Sequence, residues 1–160
     1  MLSPFLKKLL FARQFFIVDG KIEILGKKQV MLPSDFILEL QRLEPELAYN
    51  TVKKVMMNDI KDYATKLGAN GESMIKNIDD LFETFGLGKL EIINLDNKKK
   101  TCIVRVHNSP IMTNKKGESN FEITNSIIAG MFSFLFSKEV DTKQIKRAGR
   151  DFDYCEYIVK

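Results

Sequence analysis

Apolar side chains recur every three or four positions over residues 2–16, with lysines between them. This spacing predicts a basic amphipathic helix at the start of the chain. We favour a helix that packs on its own domain or on a dimer partner. Contact with a membrane surface is the alternative that the basic character leaves open.

Three short β-type runs follow this helix. Residues 16–18 and 22–24 flank Asp19-Gly20, a dipeptide typical of a two-residue hairpin turn, and Gly26 separates them from residues 30–32. The pattern predicts a small β-meander, and we expect it to cover one end of the main core.

The apolar period then lengthens to that of helices. Ser34 is a suitable N-cap for a first helix, Glu44-Pro45 breaks it, and a longer helix spans roughly 46–67 before Gly68. A third helix is predicted over roughly 72–85. These are three consecutive helices, each with one apolar face.

The last part of the chain returns to β-type patterning around one apolar segment. Runs at 90–95 and 101–106 flank the Asp96–Lys100 turn, and a polar loop covers 108–120. Phe121 to Ser137 predicts a largely apolar helix, in which Gly130 indicates close packing of another element. Two final strands are predicted over roughly 139–147 and 152–159.

This order predicts an α+β fold in one domain, residues 1–160. About four late strands form an antiparallel sheet that helices pack on one side, and the small β-meander precedes them. We divide the domain into an N-terminal helix, meander and helices over 1–85 and a core segment over 86–160.

Composition narrows the function classes. The 160 residues include 25 Lys+Arg and 21 Asp+Glu, a net charge of +4, which suits a soluble protein without requiring nucleic acid. The longest basic run, Lys98 to Lys100, follows a turn signal, so we expect a solvated hairpin tip and no nucleic-acid partner, with phosphate binding as the alternative. The apolar runs are too short and interrupted to span a bilayer.

Few side chains in the sequence are candidates for catalysis or metal binding. With one His and two Cys, the chain lacks the four ligands of a closed Cys/His zinc site. His107 has no identifiable nucleophile or orienting carboxylate in sequence, and Cys102 and Cys155 lie on alternating strands as small buried residues. The start of the chain does not resemble a secretory signal, so we expect a cytoplasmic protein with reduced thiols.

The stretch from Gly86 to Lys160 resembles the 4-vinyl reductase domain family, a small-molecule-binding module. The family includes sensor domains of aromatic-responsive transcription activators and is distantly similar in fold to TRAPP tethering-complex subunits. The resemblance rests on the following segments of this sequence: Gly88-Lys89-Leu90-Glu91, Val104 to Pro110, Asn125 to Gly130, Ala148-Gly149, and Tyr154 to Val159.

The resemblance implies helices on an antiparallel sheet, an enclosed apolar pocket for aromatic or hydrocarbon-like ligands, and frequent homodimers. Sensor members also hold a structural zinc with three Cys and a Glu. Of those ligand positions only Cys155 matches, since Asn125, Thr142 and Ile145 fall at or near the others. We therefore expect no metal and no cofactor, with Asp153, Glu156 and Glu139 as acids that could join Cys155 in a weaker site.

Twelve Phe and seven Met favour a pocket with soft apolar walls. Each of these residues, taken alone, also fits ordinary core packing. The lining candidates lie on the apolar helix, on the helices before it and on the last strand: Met56, Phe82, Phe85, Met131, Phe132, Phe134, Leu135 and Tyr157. Phe121 and Met74 are further candidates from the same elements.

Three functions compete at this stage. The first is binding of a small apolar ligand, in a sensory or regulatory role that acts through a protein partner. The second is a reductase acting on the vinyl group of a tetrapyrrole, against which stands the lack of a Gly-x-Gly-x-x-Gly phosphate-binding motif. The third is a structural dimer subunit without ligand. We favour the first and lean against an enzyme.

Overall fold

The structure is a computed structural model, and it describes residues 4–111, 122–148 and 153–160. The chain forms two compact units, Met1–Pro33 and Ser34–Lys160. Within the described ranges no helix combines the length and the apolar character that crossing a bilayer requires. Phe121 and the loop predicted over 108–120, from residue 112 on, lie outside the described residues.

The first unit contains α1 (Pro4–Phe11), β1 (Phe15–Val18), β2 (Lys21–Ile24) and β3 (Lys27–Gln29), and the three strands pair antiparallel in that order. The helix predicted to residue 16 ends at Phe11 instead. Arg13 there takes a positive φ of 53°, which a helix cannot contain. The third strand lies earlier than predicted because Leu25-Gly26, both at positive φ, form a tight turn that brings Lys27 opposite Ile24.

The second unit begins with α2 (Ser34–Leu43) and α3 (Pro45–Leu67), as the sequence predicts. Pro45 occupies the first turn of α3, where its missing N–H costs nothing, and Gly68 ends the helix in the left-handed conformation. The prediction of one uninterrupted helix over 72–85 is wrong. This range contains three elements: α4 (Gly71–Met74), a 3-10 turn (Ile75–Asn77) and α5 (Ile78–Thr84). The helix is interrupted because the backbone of Asn77 leaves helical geometry, at φ −115° and ψ 2°.

The remaining elements confirm the predicted α+β class. They are β4 (Lys89–Asp96), β5 (Thr101–His107), α6 (Glu122–Phe136), β6 (Thr142–Lys146) and β7 (Tyr154–Val159). The strands form one antiparallel sheet in the order β4-β5-β7-β6. The Lys98–Lys100 run lies in the β4–β5 turn, as expected, and the amides of Lys98 and Lys99 donate to the Asp96 carboxylate.

The two faces of this sheet differ in chemistry. Cross-strand pairing aligns Val104 with Tyr157 and Val106 with Cys155, and all four are buried. We call this the inner face. The alternate positions on the same strands carry charge, as with Arg105 paired to Glu156, and we call that side the outer face. The period-2 alternation on β5 thus separates core from charge.

Gly130 sets how closely α3 and α6 approach. A side-chain Cβ at this position would lie 3.0 Å from the Met56 Cβ and 3.1 Å from the Met57 amide nitrogen, and it would overlap the Lys53 carbonyl oxygen. The close packing predicted for Gly130 is therefore confirmed, and its partner is α3. Because a helix turns about 100° per residue, Ile128 and Phe132 lie on the opposite side of α6 from α3.

Replacing Gly130 with Ala should destabilise the protein by about 1–3 kcal/mol, because the added methyl meets backbone atoms of α3 that cannot move independently. The free energy of unfolding, measured by urea titration, gives the value. Asn58→Ala is the matched control, since Asn58 is exposed on α3 and the change should stay within about 0.5 kcal/mol. A Gly130→Ala protein as stable as the wild type would contradict this helix contact.

Burial keeps two acidic side chains of the inner face neutral. It raises the pKa of Cys102 from 9.0 to about 12. The pKa of Tyr157 is also raised, chiefly by burial and then by the neighbouring Cys155, with which its hydroxyl hydrogen-bonds, while a hydrogen bond with Thr124 opposes the shift. Unfolding exposes both groups to water and returns their ordinary pKa values.

These shifts predict a loss of stability at alkaline pH. The stabilising effect is complete below pH 9.0, the ordinary pKa of Cys102, and is lost as pH rises towards about 12. We expect the free energy of unfolding to fall between about pH 9 and pH 10.5. Tyr157→Phe and Cys102→Ala should each make that fall shallower, whatever their cost at neutral pH. Denaturant titrations at stepped pH measure it, and a wild-type stability that stays flat over this range would refute the prediction.

Candidate ligand-binding site

The apolar helix α6 supplies one wall of the candidate site. Nearly all of its described side chains are buried, and the rings of Phe132 and Phe136 pack in a tilted arrangement, with 5.5 Å between centroids and 56° between planes. Met131 and Leu135 are also buried. This burial follows from the sequence, since the helix has almost no polar side and must be covered all round.

The eight predicted lining residues fall into two groups. Phe82, Met131, Phe132, Leu135 and Tyr157 are buried, with 5% exposure or less. Met56, Phe85 and Phe134 are only half-buried. The structure therefore does not place all eight in one enclosed wall.

Two of the half-buried residues have identified neighbours. Met56 lies beside Gly130 at the contact of α3 and α6, and Phe85 packs on Tyr63 of α3 with 5.6 Å between ring centroids. Met74, which the sequence also offered, is fully buried.

A polar group lies inside this apolar region, on the inner face. The Tyr157 hydroxyl hydrogen-bonds with Cys155 and Thr124, and Thr124 is 1% exposed near the start of α6. Gln144 is the cross-strand neighbour of Tyr157 on β6, and Asn125 follows Thr124 in α6. Thr124 of α6, Cys155 of β7 and Gln144 of β6 are thus neighbours of one buried tyrosine.

Several buried polar atoms lack a partner. Among the residues that the structure describes, Asn125 Oδ1, Gln144 Nε2, Thr142 Oγ1 and Ser109 Oγ are buried without a hydrogen bond. Each such atom costs about 1–3 kcal/mol if nothing satisfies it. Sequence reasoning missed Gln144 as a site residue. The signal was available, because Thr142 and Gln144 alternate inward on β6, a period that apolar residues usually occupy.

The described side chains do not group into a metal site. No cluster of three or more His, Cys, Asp and Glu side chains with suitable geometry occurs in ranges 4–111, 122–148 and 153–160. Cys102 and Cys155 are free and buried, and the Cys155 sulfur accepts from the Ala148 amide at 3.3 Å. Two of the acids considered for a weaker site have other partners, since Glu156 binds Arg105 and Glu139 binds Lys53.

The outer face carries an ionic row. Arg105 Nε donates to Glu156 Oε2 at 2.8 Å, which raises the arginine pKa, and Lys146 Nζ lies 3.7 Å from Glu156 Oε1. The Arg105 guanidinium lies 4.5 Å from the centre of the Tyr154 ring. These side chains satisfy one another across three strands, so this row stabilises the register of the sheet and offers no unpaired charge for catalysis.

A cleft of about 600 Å³ opens beside His107. The 3-10 turn, the start of α5 and the first half of β4 line it. His107 Nε2 lies 3.4 Å from Glu91 Oε2, and His107 Nδ1 lies 3.8 Å from Asp153 Oδ1. Both ring nitrogens therefore face carboxylates, and neither lies next to a nucleophile as in the nucleophile–base pair of covalent catalysis.

A second cleft, of about 540 Å³, lies where α3 begins and β6 begins. The Lys53 ammonium donates to Asp141 at 2.7 Å and holds the pKa of that carboxyl below its usual value, and the Tyr49 hydroxyl also donates to Asp141. Neither this cleft nor the one beside His107 is lined by the eight predicted residues. Their place as a ligand lining therefore stays a prediction.

Comparison by sequence identifies no relative: no protein-family model matches the chain, and no curated protein matches it. Comparison by structure finds several. The phenol-responsive sensory domain of the transcription activator PoxR, crystallised with phenol, is similar with a TM-score of 0.72 at 12% identity, over 99% of this chain and 91% of that one.

Two further solved structures are similar over most of this chain. A trafficking protein particle complex subunit 3 from Naegleria fowleri, described as covalently bound to palmitic acid, gives a TM-score of 0.52 at 13% identity over 79% of this chain and 93% of that one. A vinyl-4-reductase family protein from Methanocaldococcus jannaschii gives 0.49 at 14% identity over 82% and 83%. The resemblance drawn from the sequence is confirmed at the level of fold: this chain is similar in architecture to a phenol-responsive sensory domain and to a trafficking protein particle complex subunit.

Proposed function

We propose that the chain binds one small, largely apolar molecule, hydrocarbon-like or aromatic, between α6 and the inner face of the sheet. The observation that carries the proposal is a pair of unpartnered buried polar atoms, Asn125 Oδ1 on α6 and Gln144 Nε2 on β6, the latter directly across from Tyr157. Buried polar atoms in proteins are nearly always hydrogen-bonded, so leaving these two without a partner lowers the free energy of unfolding.

The pair also defines the chemistry of the ligand. One atom is an acceptor and the other a donor, and a hydroxyl group can donate to the first while accepting from the second. The proposed ligand therefore joins an apolar body to one hydroxyl or a similar oxygen group.

The apolar body of the ligand would lie against the Phe and Met side chains. Phe82, Met131, Phe132, Leu135 and Tyr157, all buried, form the proposed lining. Met56, Phe85 and Phe134 complete the set towards α3. Walls of Phe and Met adapt to different apolar shapes, which suits recognition that depends on one polar group for orientation.

The structural neighbours support this class of ligand. Phenol, crystallised with the PoxR domain, and palmitic acid, described as bound to the tethering subunit, each join an apolar body to one oxygen-bearing group. The fold likeness to a sensory domain also supports a regulatory role exercised through a protein partner. Residues 1–160 would act as one ligand-binding domain that forms a homodimer in the cytoplasm, where its two free thiols stay reduced.

Phenol against toluene is the direct test, because toluene carries a methyl group of similar size in place of the hydroxyl group of phenol. We expect phenol to bind at least about tenfold more tightly than toluene, since toluene leaves the buried amides unpaired. Isothermal titration calorimetry of the purified chain gives both affinities. Native mass spectrometry of the same preparation should show a co-purified small molecule where the site is already filled.

Gln144→Leu is the informative variant, because it replaces the amide by an apolar group of similar size. It should lose the preference for phenol while retaining toluene. Asn94→Leu on β4 is the matched control, since Asn94 is an amide of the same sheet on an exposed position, and it should keep the wild-type preference. If the chain binds neither compound and carries no co-purified molecule, the core is filled and the ligand-binding proposal is wrong.

A further inference from the structure

The net charge of the protein is concentrated in its first unit. Residues 1–33 contain six Lys and Arg and two Asp and Glu, while residues 34–160 contain nineteen of each. The whole excess of +4 therefore belongs to a unit of 33 residues, and the rest of the chain is balanced. Five of the six cations are exposed: Lys7, Lys8, Arg13, Lys21 and Lys28.

The same unit exposes large apolar side chains to water. Phe11 at the end of α1 is 90% exposed and Leu10 is 40% exposed, while Ile17 and Val18 at the tip of the first hairpin are 60% and 54% exposed. We call these four residues the N-terminal apolar set. Transfer of such side chains from water to an apolar environment is favourable in free energy. A surface that exposes several of them is therefore typical of an interaction site.

Cations lie next to apolar side chains in both α1 and the first hairpin. Lys7 and Phe11 are one helical turn apart on α1, and Val18 lies directly across from Lys21 in the β1–β2 pair. A lipid bilayer with anionic head groups offers a matching arrangement, with negative charge outside and hydrocarbon a few ångströms below. Nucleic acid offers the charge without the hydrocarbon.

We propose that the N-terminal unit, Met1–Pro33, binds the surface of an anionic lipid bilayer, with the N-terminal apolar set inserted below the head groups and the lysines among them. The binding is peripheral, since α1 has only eight residues. A second copy of this unit fits the surface less well, because it would bring a second excess of +4 against the first.

Co-sedimentation of the full chain with vesicles tests the proposal. Vesicles of phosphatidylglycerol and phosphatidylcholine in equal parts should pellet the protein, and phosphatidylcholine alone should not. Binding should fall strongly in about 1 M NaCl, where the Debye length is about 3 Å. Equal binding to both vesicle types, or no binding to either, would overturn the proposal.

Paired variants locate the binding surface. The double variant Lys7→Glu and Lys8→Glu should weaken partitioning at least about tenfold, since each basic residue near an anionic surface contributes about fivefold. Lys98→Glu with Lys99→Glu makes the same charge change in the β4–β5 turn of the second unit, and it should bind vesicles several times more tightly than the first double variant. Equal losses from the two would mean that net charge alone is responsible, and would contradict a specific surface.

The apolar half of the proposal has its own matched pair. Phe11→Ser should weaken partitioning about tenfold, whereas Leu43→Ser, at a position 74% exposed on α2, should leave it unchanged. Both positions are exposed, so both variants should fold, which circular dichroism verifies. A Phe11→Ser protein that binds vesicles normally but changes its mass by light scattering would assign this surface to self-association and refute the membrane contact.

Discussion

The absence of a side chain at Gly130 determines how the second unit is built. A hydrogen atom at this position lets the backbone of α3 touch α6, and even a methyl group would separate the two helices. That contact places the opposite side of α6, with Ile128 and Phe132, away from α3. The remaining sides of this apolar helix must also be shielded from water. The inner face of the four-stranded sheet can shield them, because apolar residues alternate along its strands.

Most of this architecture could be predicted from the sequence because local sequence patterns determine it. The Asp19-Gly20 hairpin, the Pro45 start of α3, the β4–β5 turn and the glycine contact in α6 each follow from a residue with a strong conformational preference. The early end of α1 and the break at Asn77 were not predictable in this way. Arg13 and Asn77 have no strong breaking tendency, so their backbone geometry reflects packing beyond their own neighbourhood.

The site was harder to predict than the fold. The sequence offered an abundance of Phe and Met, but core packing and ligand binding require the same side chains, and only their positions distinguish the two. What distinguishes this interior is its unpartnered amides, Asn125 on α6 and Gln144 on β6. That both amides are buried without a partner is a property of the folded chain. A single sequence contains no sign of it beyond a polar residue at an inward strand position.

The buried thiol of Cys102 has a consequence for how motions of this protein can be observed. A thiol reacts with alkylating reagents as its thiolate, and a pKa of about 12 leaves almost none of that form while the sheet is closed. Labelling at neutral pH would therefore proceed through transient openings of β5. The rate of labelling reports how often that strand is exposed, and a molecule held against the inner face would slow it. Cys102 is thus an intrinsic chemical probe of local opening in the core.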